Sequence, residues 1–175
     1  MESIKDITLM ARMATGGDKK AFGQLVTKYQ SRVRKFFLAQ TLGDSQLSDD
    51  LAQDTFVKAY THISQFHGTS SFGTWLMRIA YNTYYDHCRL RKQTADIDEI
   101  SPPDVSPTDT MIRRDIYEAL ARLSDAQRTC ITMQLIDGRP IDEITDITGM
   151  PEGTVKSHLK RGKDLLAGFL KSNGY

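Results

Sequence analysis

The side chains of this chain that could do chemistry fall into three groups. The first is Asp49, Asp50 and Asp54, with His62 or His87 nearby. Carboxylates and an imidazole at i, i+4 spacing share a helix face and can hold a metal in a helical bundle. No second carboxylate and histidine motif completes a shell here, and neither a Gly-rich phosphate loop nor a nucleophile paired with a base is present. The expectation is therefore no catalytic residue, no metal and no cofactor; the acidic run suits the positive N-terminal end of a helix instead. The second group is the stretch 66–75, FHGTSSFGTW, with the outer residues of the helix that follows: Arg78, Asn82, Tyr85, Arg89, Arg91 and Lys92. Cations hold a phosphate backbone while rings and amides take bases, which is the chemistry of unpaired nucleic acid, and stacking is worth about 1–3 kcal/mol per base. The same loop could instead fold its rings over a core. The third group is Thr154, Lys156, Ser157, Lys160 and Arg161, small polar and basic side chains suited to base edges and phosphates of a duplex.

Ile141, Ile144 and Ile147 fall at helical spacing before Gly149, a natural helix terminator. Pro151 and Glu152 suit the first turn of a second helix, along which Val155, Leu159, Gly162, Leu166 and Phe169 recur on one face. Stepping about 100° per residue from Val155 puts Gly153, Ser157, Lys160 and Arg161 on the far side, with Thr154 and Lys156 at its margin. Two helices joined by a tight turn, the second basic on its outer face, predict a helix-turn-helix that reads duplex DNA. The alternative is a solvated amphipathic hairpin.

Ahead of these lie further helical patterns. Residues 4–13 are stopped by Gly16 and Gly17, and Asp18 can cap the next helix, with Phe22, Leu25, Val26, Tyr29, Val33, Phe36 and Phe37 on one side. Ser48, followed by Asp49 and Asp50, is the expected cap of a third helix with Ala52, Phe56, Ala59, Tyr60 and Ile63 buried. Asp50, Gln53, Asp54 and Val57 share another of its flanks. In the fourth helix Trp75, Leu76, Ile79, Ala80 and Thr83 turn inward. Residues 94–110 carry three prolines, five acidic residues and no Lys or Arg, so they cannot build a core and read as a linker. A helix over 111–123 and a capping box, Ser124 with Gln127, lead into the helix-turn-helix. The predicted fold is all-α: two small helical domains, 1–93 and 111–175, joined by an acidic, Pro-containing linker at 94–110.

With 39% hydrophobic and 26% charged residues in 175, the composition is that of a soluble globular protein. The net charge of +1 requires any nucleic-acid affinity to come from local patches. Cys88 and Cys130 read as reduced cytosolic thiols, and no stretch approaches the roughly 20 apolar residues that span a bilayer, so a cytoplasmic location is expected.

Four segments, DKKAFGQLVTKYQ, DDLAQDTFVKAY, FHGTSSFGTWLMRIAYNTYYDHCR and LSDAQRTCITMQLIDGRPIDEITDITGMPEGTVKSHLKRGKDLL, resemble in order those of extracytoplasmic-function (ECF) sigma factors, the specificity subunits of bacterial RNA polymerase. The resemblance implies that the first half binds the clamp of core RNA polymerase and melts and reads the minus-10 promoter element as single strand. The second half would read the minus-35 element as duplex. It places Asp50, Leu51, Gln53, Asp54 and Phe56 in the polymerase-binding helix. It places His67, Thr69, Ser70 and Phe72 in the loop that captures a flipped base, with Asn82 and Arg78 beside it. Lys156, Ser157, Lys160 and Arg161, next to Thr154, fall on the minus-35 reading positions. Lys160 stands where several relatives carry an aromatic, and His158 where Arg is frequent. The family is commonly held inactive by an anti-sigma protein, which makes one a candidate partner. The rival reading is a two-domain helix-turn-helix regulator that acts without replacing a sigma subunit.

Overall fold

The computed structural model describes residues 4–94 and 111–174. These form eight α-helices, with no strand among the described residues. The expected linker, beyond Thr94, lies outside them. No described helix is long and apolar enough to cross a membrane.

Helix α1 (Ile4–Gly16) lies on α2 (Lys19–Gln40), held there by a buried carboxylate: Asp6 Oδ2 accepts from Lys28 Nζ at 2.5 Å and from the Tyr29 hydroxyl at 2.8 Å. Asp18 caps α2 as expected, its Oδ1 accepting from the backbone N–H groups of Lys20 and Ala21. Leu25, Tyr29, Val33, Phe36 and Phe37 are buried along one side of α2. Each such large side chain contributes about 1.5–3 kcal/mol by leaving water.

Helix α3 (Ser45–Thr61) departs from expectation at both its start and its phase. Asp44, not Ser48, is the cap, accepting from Leu47 N at 2.9 Å. Gly43, at φ +94°, ends the preceding turn, so Asp44 is the first extended residue available to cap. Ser48 sits a turn inside the helix and heads the buried line Ser48, Leu51, Thr55, Ala59, while Tyr60 is exposed. Small side chains there permit close helix approach, and their hydroxyls are satisfied locally: Ser48 donates to Asp44 O at 2.6 Å, Thr55 to Leu51 O at 2.8 Å. Hydropathy cannot register a stripe built this way.

Helix α4 (Phe72–Thr94) opens where Ser71 Oγ accepts from Thr74 N at 3.0 Å, and it buries Phe72, Leu76, Met77, Ala80, Thr83 and Tyr84. In the second half, α5 (Met111–Ala121) leads to α6 (Asp125–Ile131), which opens with the expected Ser124 and Gln127 capping box. Helix α6 widens into a π-type turn over Thr132–Ile136. The hairpin follows as α7 (Ile141–Thr148), ended by Gly149 at φ +72°, and α8 (Glu152–Ser172). The two halves close on each other, α2 against α6 and the π turn, α4 against α7, and their buried residues form one continuous core.

The Asp18 carboxyl is held below its ordinary value of 3.8, chiefly by the Ala21 N–H and also by Arg12. Its contribution to stability is therefore fully present above that value and is lost as pH falls through the lowered folded-state pKa. Asp18→Asn should flatten the acid limb of the stability profile, read as the urea midpoint against pH, and leave its neutral slope unchanged.

Candidate nucleic-acid interface

Helix α8 separates its two faces cleanly. Val155, Leu159, Gly162 and Phe169 are buried, while Thr154, Lys156, Lys160 and Arg161 are exposed and Ser157 is half-buried. All five predicted duplex-reading side chains thus share one accessible side, with Lys156 also meeting Glu152 one turn back. His158 turns inward, its Nδ1 buried without a hydrogen-bond partner. What sets the height of α8 is Gly162: a Cβ there would stand 2.8 Å from Ile131 Cγ1 of α6. The Arg122 guanidinium, 4.6 Å from the Phe169 ring centre, closes the far end of the packing.

In the first half, Arg78 and Asn82 lie one turn apart on the open side of α4, both exposed. In the loop that precedes α4, His67 and Thr69 are exposed and Ser70 is half-buried. Phe72 does not join them. Its side chain is wholly buried, 5.4 Å from Tyr29 and 5.8 Å from Trp75 between ring centres, and Phe66 packs 5.4 Å from Trp75. The rings of the loop fasten it to the core, because a loop with Gly and Ser at its bends has nothing else to anchor it. Tyr85, expected on the exterior, is half-buried as well: its ring lies tilted against Tyr81, 4.4 Å between centres, and burial pushes the phenol pKa up, offset in part by a hydrogen bond with Thr129 of α6.

On α3, Asp50, Gln53 and Asp54 are exposed beside Val57, and Phe56 is half-buried. Leu51 is in the core at 6% exposure, so it supports this surface from behind. Asp49 and Asp54 each face a cation of the chain itself, Arg34 at 2.6 Å and Lys58 at 2.9 Å. Burial pushes the Cys130 thiol up to about 11, which keeps it protonated and unreactive at neutral pH. Sequence reasoning missed the spacer role of Gly162; the available signal was a glycine inside an otherwise apolar stripe.

Fold and surface together define a class: a two-lobed, all-helical nucleic-acid-binding protein with a helix-turn-helix in its second lobe. Two family models match, sigma-70 region 2 over residues 25–94 and sigma-70 region 4 over residues 113–166. The chain is similar to the RNA polymerase sigma-H factor of Pseudomonas aeruginosa, with 30% identity covering 86% of each chain. It is similar also to the ECF RNA polymerase sigma-E factor of Salmonella typhimurium, with 31% identity covering 94% of each. Among solved structures, CnrH in complex with the cytosolic domain of CnrY matches at TM-score 0.73 and 25% identity over 97% of this chain and 99% of that one. The sigma factor RpoE in complex with the anti-sigma factor NepR from Bartonella quintana matches at TM-score 0.73 and 26% identity over 87% and 98%. The chain belongs to the ECF sigma factors of RNA polymerase, a family of non-enzymatic transcription initiation factors.

If Gly162 is the spacer between α8 and α6, Gly162→Ala overpacks the contact and should cost about 1–3 kcal/mol. Ile131→Ala removes the opposing Cγ1 and should cost about 2–5 kcal/mol alone. Urea unfolding of the double variant should show less loss than the sum of the two, because the added methyl occupies space the truncation vacates.

Proposed function

We propose that the first lobe, Met1–Gln93, docks on core RNA polymerase through Asp50, Gln53 and Asp54, with Phe56 at the edge. The same lobe holds the minus-10 element as separated strand between the His67, Thr69 and Ser70 loop and the Arg78 and Asn82 face of α4. The second lobe, Met111–Tyr175, reads the minus-35 duplex with Thr154, Lys156, Ser157, Lys160 and Arg161, and residues 94–110 connect the two. The observation that carries this reading is the exposure of Asn82 and Arg78 on the helix that leaves a loop whose rings are fixed in the core. Such a loop presents its polar edge as a rigid rim, so a base can be received without the loop itself having to order. Extruding a base costs a few kcal/mol, which stacking and hydrogen bonding in a preformed pocket offset, so strand separation needs no nucleotide hydrolysis. The protein works in the cytoplasm, where polymerase and promoter are, and an anti-sigma protein is a fitting partner.

Run-off transcription with core polymerase and a randomised promoter library tests the reading and yields the specificity at once; no start-site selection would sink it. Asn82→Ala should slow open-complex formation, read by permanganate footprinting, while core binding is unchanged; equal loss of both would mark Asn82 as structural. Arg161→Ala should weaken minus-35 binding and lower the salt slope by roughly one counterion if it grips a phosphate. An unchanged slope assigns it to a base edge.

A further inference from the structure

Loop 66–71 rests on α1 at both of its ends. In front of it the short turn Ile63–Gln65 packs directly against α1. Behind it the contact runs through one side chain of α2. The Tyr29 hydroxyl donates to Asp6 Oδ2 at 2.8 Å, and the Tyr29 ring lies 5.4 Å from that of Phe72 between centres. The same ring covers the first turn of α4 so closely that a Cβ at Gly73 would stand 3.0 Å from Tyr29 Cε1. Phe72 in turn meets Trp75 at 5.8 Å and Phe66 at 6.2 Å, which completes a line of contacts from α1 to the start of the loop. Arg78 and Asn82 stand further along the helix that Gly73 opens.

The carboxylate at the head of this line is paired on one side only. Asp6 is 1% exposed; its Oδ2 accepts from both Lys28 Nζ and Tyr29, while its Oδ1 is buried without a partner. A buried carboxylate with an unbonded oxygen is a poor means of merely holding two helices together. Met10 and Met13, both buried on α1, already supply apolar packing. What the carboxylate adds is direction. An apolar neighbour would let the Tyr29 ring slide and tilt, whereas a hydroxyl tied to a fixed oxygen holds the ring in one place against Gly73 and Phe72. Lys28, its side chain nearly half exposed, supplies the countercharge from the rim.

We propose that Asp6 is a positioning residue for capture of the minus-10 strand: through the Tyr29 hydroxyl it fixes Gly73 and Phe72, and so holds the His67, Thr69 and Ser70 loop in register with Arg78 and Asn82. The inference rests on the sigma-factor reading for its consequence, while the tie from α1 to the loop stands on the contacts alone. Asp6 and Tyr29 are themselves buried and touch neither the DNA nor the polymerase surface proposed above.

Three substitutions separate the tie from general packing. Tyr29→Phe keeps the ring and loses the hydroxyl, Asp6→Ala loses the acceptor, and Asp6→Asn retains an amide oxygen that can still accept from Tyr29. Each full-length chain is joined to core polymerase and given a promoter fragment recovered from the run-off library, with 2-aminopurine in its minus-10 element to report unpairing. Varying the polymerase concentration separates closed-complex affinity from the rate of opening. Tyr29→Phe and Asp6→Ala should each slow opening by about fivefold to tenfold, as the loss of one well-placed hydrogen bond to a base would do. Closed-complex affinity and core binding should not change, and the double variant should be no slower than either single one. Asp6→Asn should open at close to the unaltered rate. In the free chain Trp75, the only tryptophan of the sequence, should become more accessible to acrylamide quenching in Tyr29→Phe and Asp6→Ala. Opening at the unaltered rate by Tyr29→Phe, additive effects in the double variant, equal loss of core binding, or Asp6→Asn as slow as Asp6→Ala would each overturn the proposal. Circular dichroism checks folding; should Asp6→Ala fail to fold, Tyr29→Phe and Asp6→Asn decide between them. An unaltered chain that opens no promoter would sink the sigma reading instead, and Trp75 quenching then still judges the tie.

Discussion

Each helix face proposed here to meet DNA or polymerase is the back of a buried stripe, and that constraint governs the rest. A helix can hold Lys156, Lys160 and Arg161 in a fixed fan only if Val155, Leu159, Gly162 and Phe169 pin its opposite side. The same relation holds on α4, where Leu76, Ala80 and Thr83 fix the side opposite Arg78 and Asn82, and on α3, where Leu51 and Thr55 back Gln53 and Asp54. The accuracy of a polar face is inherited from the packing behind it, because long cationic side chains carry little positional information of their own. Close approach at Gly162 is the sharpest instance, since a single methyl there must displace α8 or Ile131.

A near-neutral chain can then address anions because its charges are segregated. Acidic side chains are consumed within the protein: Asp6 by Lys28 and Tyr29, Asp49 by Arg34, and Asp137 by both Arg32 and Arg139. At exposed sites such pairs contribute little to stability, about 0–1 kcal/mol each. Their greater effect is on the field. Among the described residues Arg78 of α4 and Lys160 and Arg161 of α8 are in no salt bridge, so their charge faces solvent on a molecule whose net charge is only +1.

Periodicity made most of this legible from the residues alone. The α8 stripe, the Gly149 terminator, the Ser124 and Gln127 box and the Asp18 cap all stand where local chemistry puts them, because each depends on neighbours within a turn or two. The failures share a cause of the opposite kind. Ser48 and Thr55 are buried because a neighbouring helix needs small residues, and hydropathy ranks Phe56 and Tyr60 above them. Phe72 reads as loop by composition but is drawn into the core by Tyr29 and Trp75 from other turns of the chain. Tyr85 is covered by a helix about forty residues further on. Nothing in the pattern around Gln40 or Arg128 announces that Gln40 accepts from Thr129 and donates to Thr132 while its carbonyl accepts from Arg128; an amide at a helix end and a basic residue in a capped helix are ordinary surface features until a second lobe arrives.

Those hydrogen bonds lie beside the apolar contacts through which the two halves share a core. Had the seam been purely apolar, opening it would expose area at about 25 cal/mol per Å² with no compensation. Hydrogen-bonded groups instead recover partners in water, so each contributes a net of only about 0.5–1.5 kcal/mol. The two Thr bonds to Gln40, the Arg128 bond to its carbonyl and the rim pair of Arg32 with Asp137 therefore sum to a few kcal/mol. The larger part of the closure is therefore the apolar core that the two halves share, while the polar contacts fix the register in which they meet.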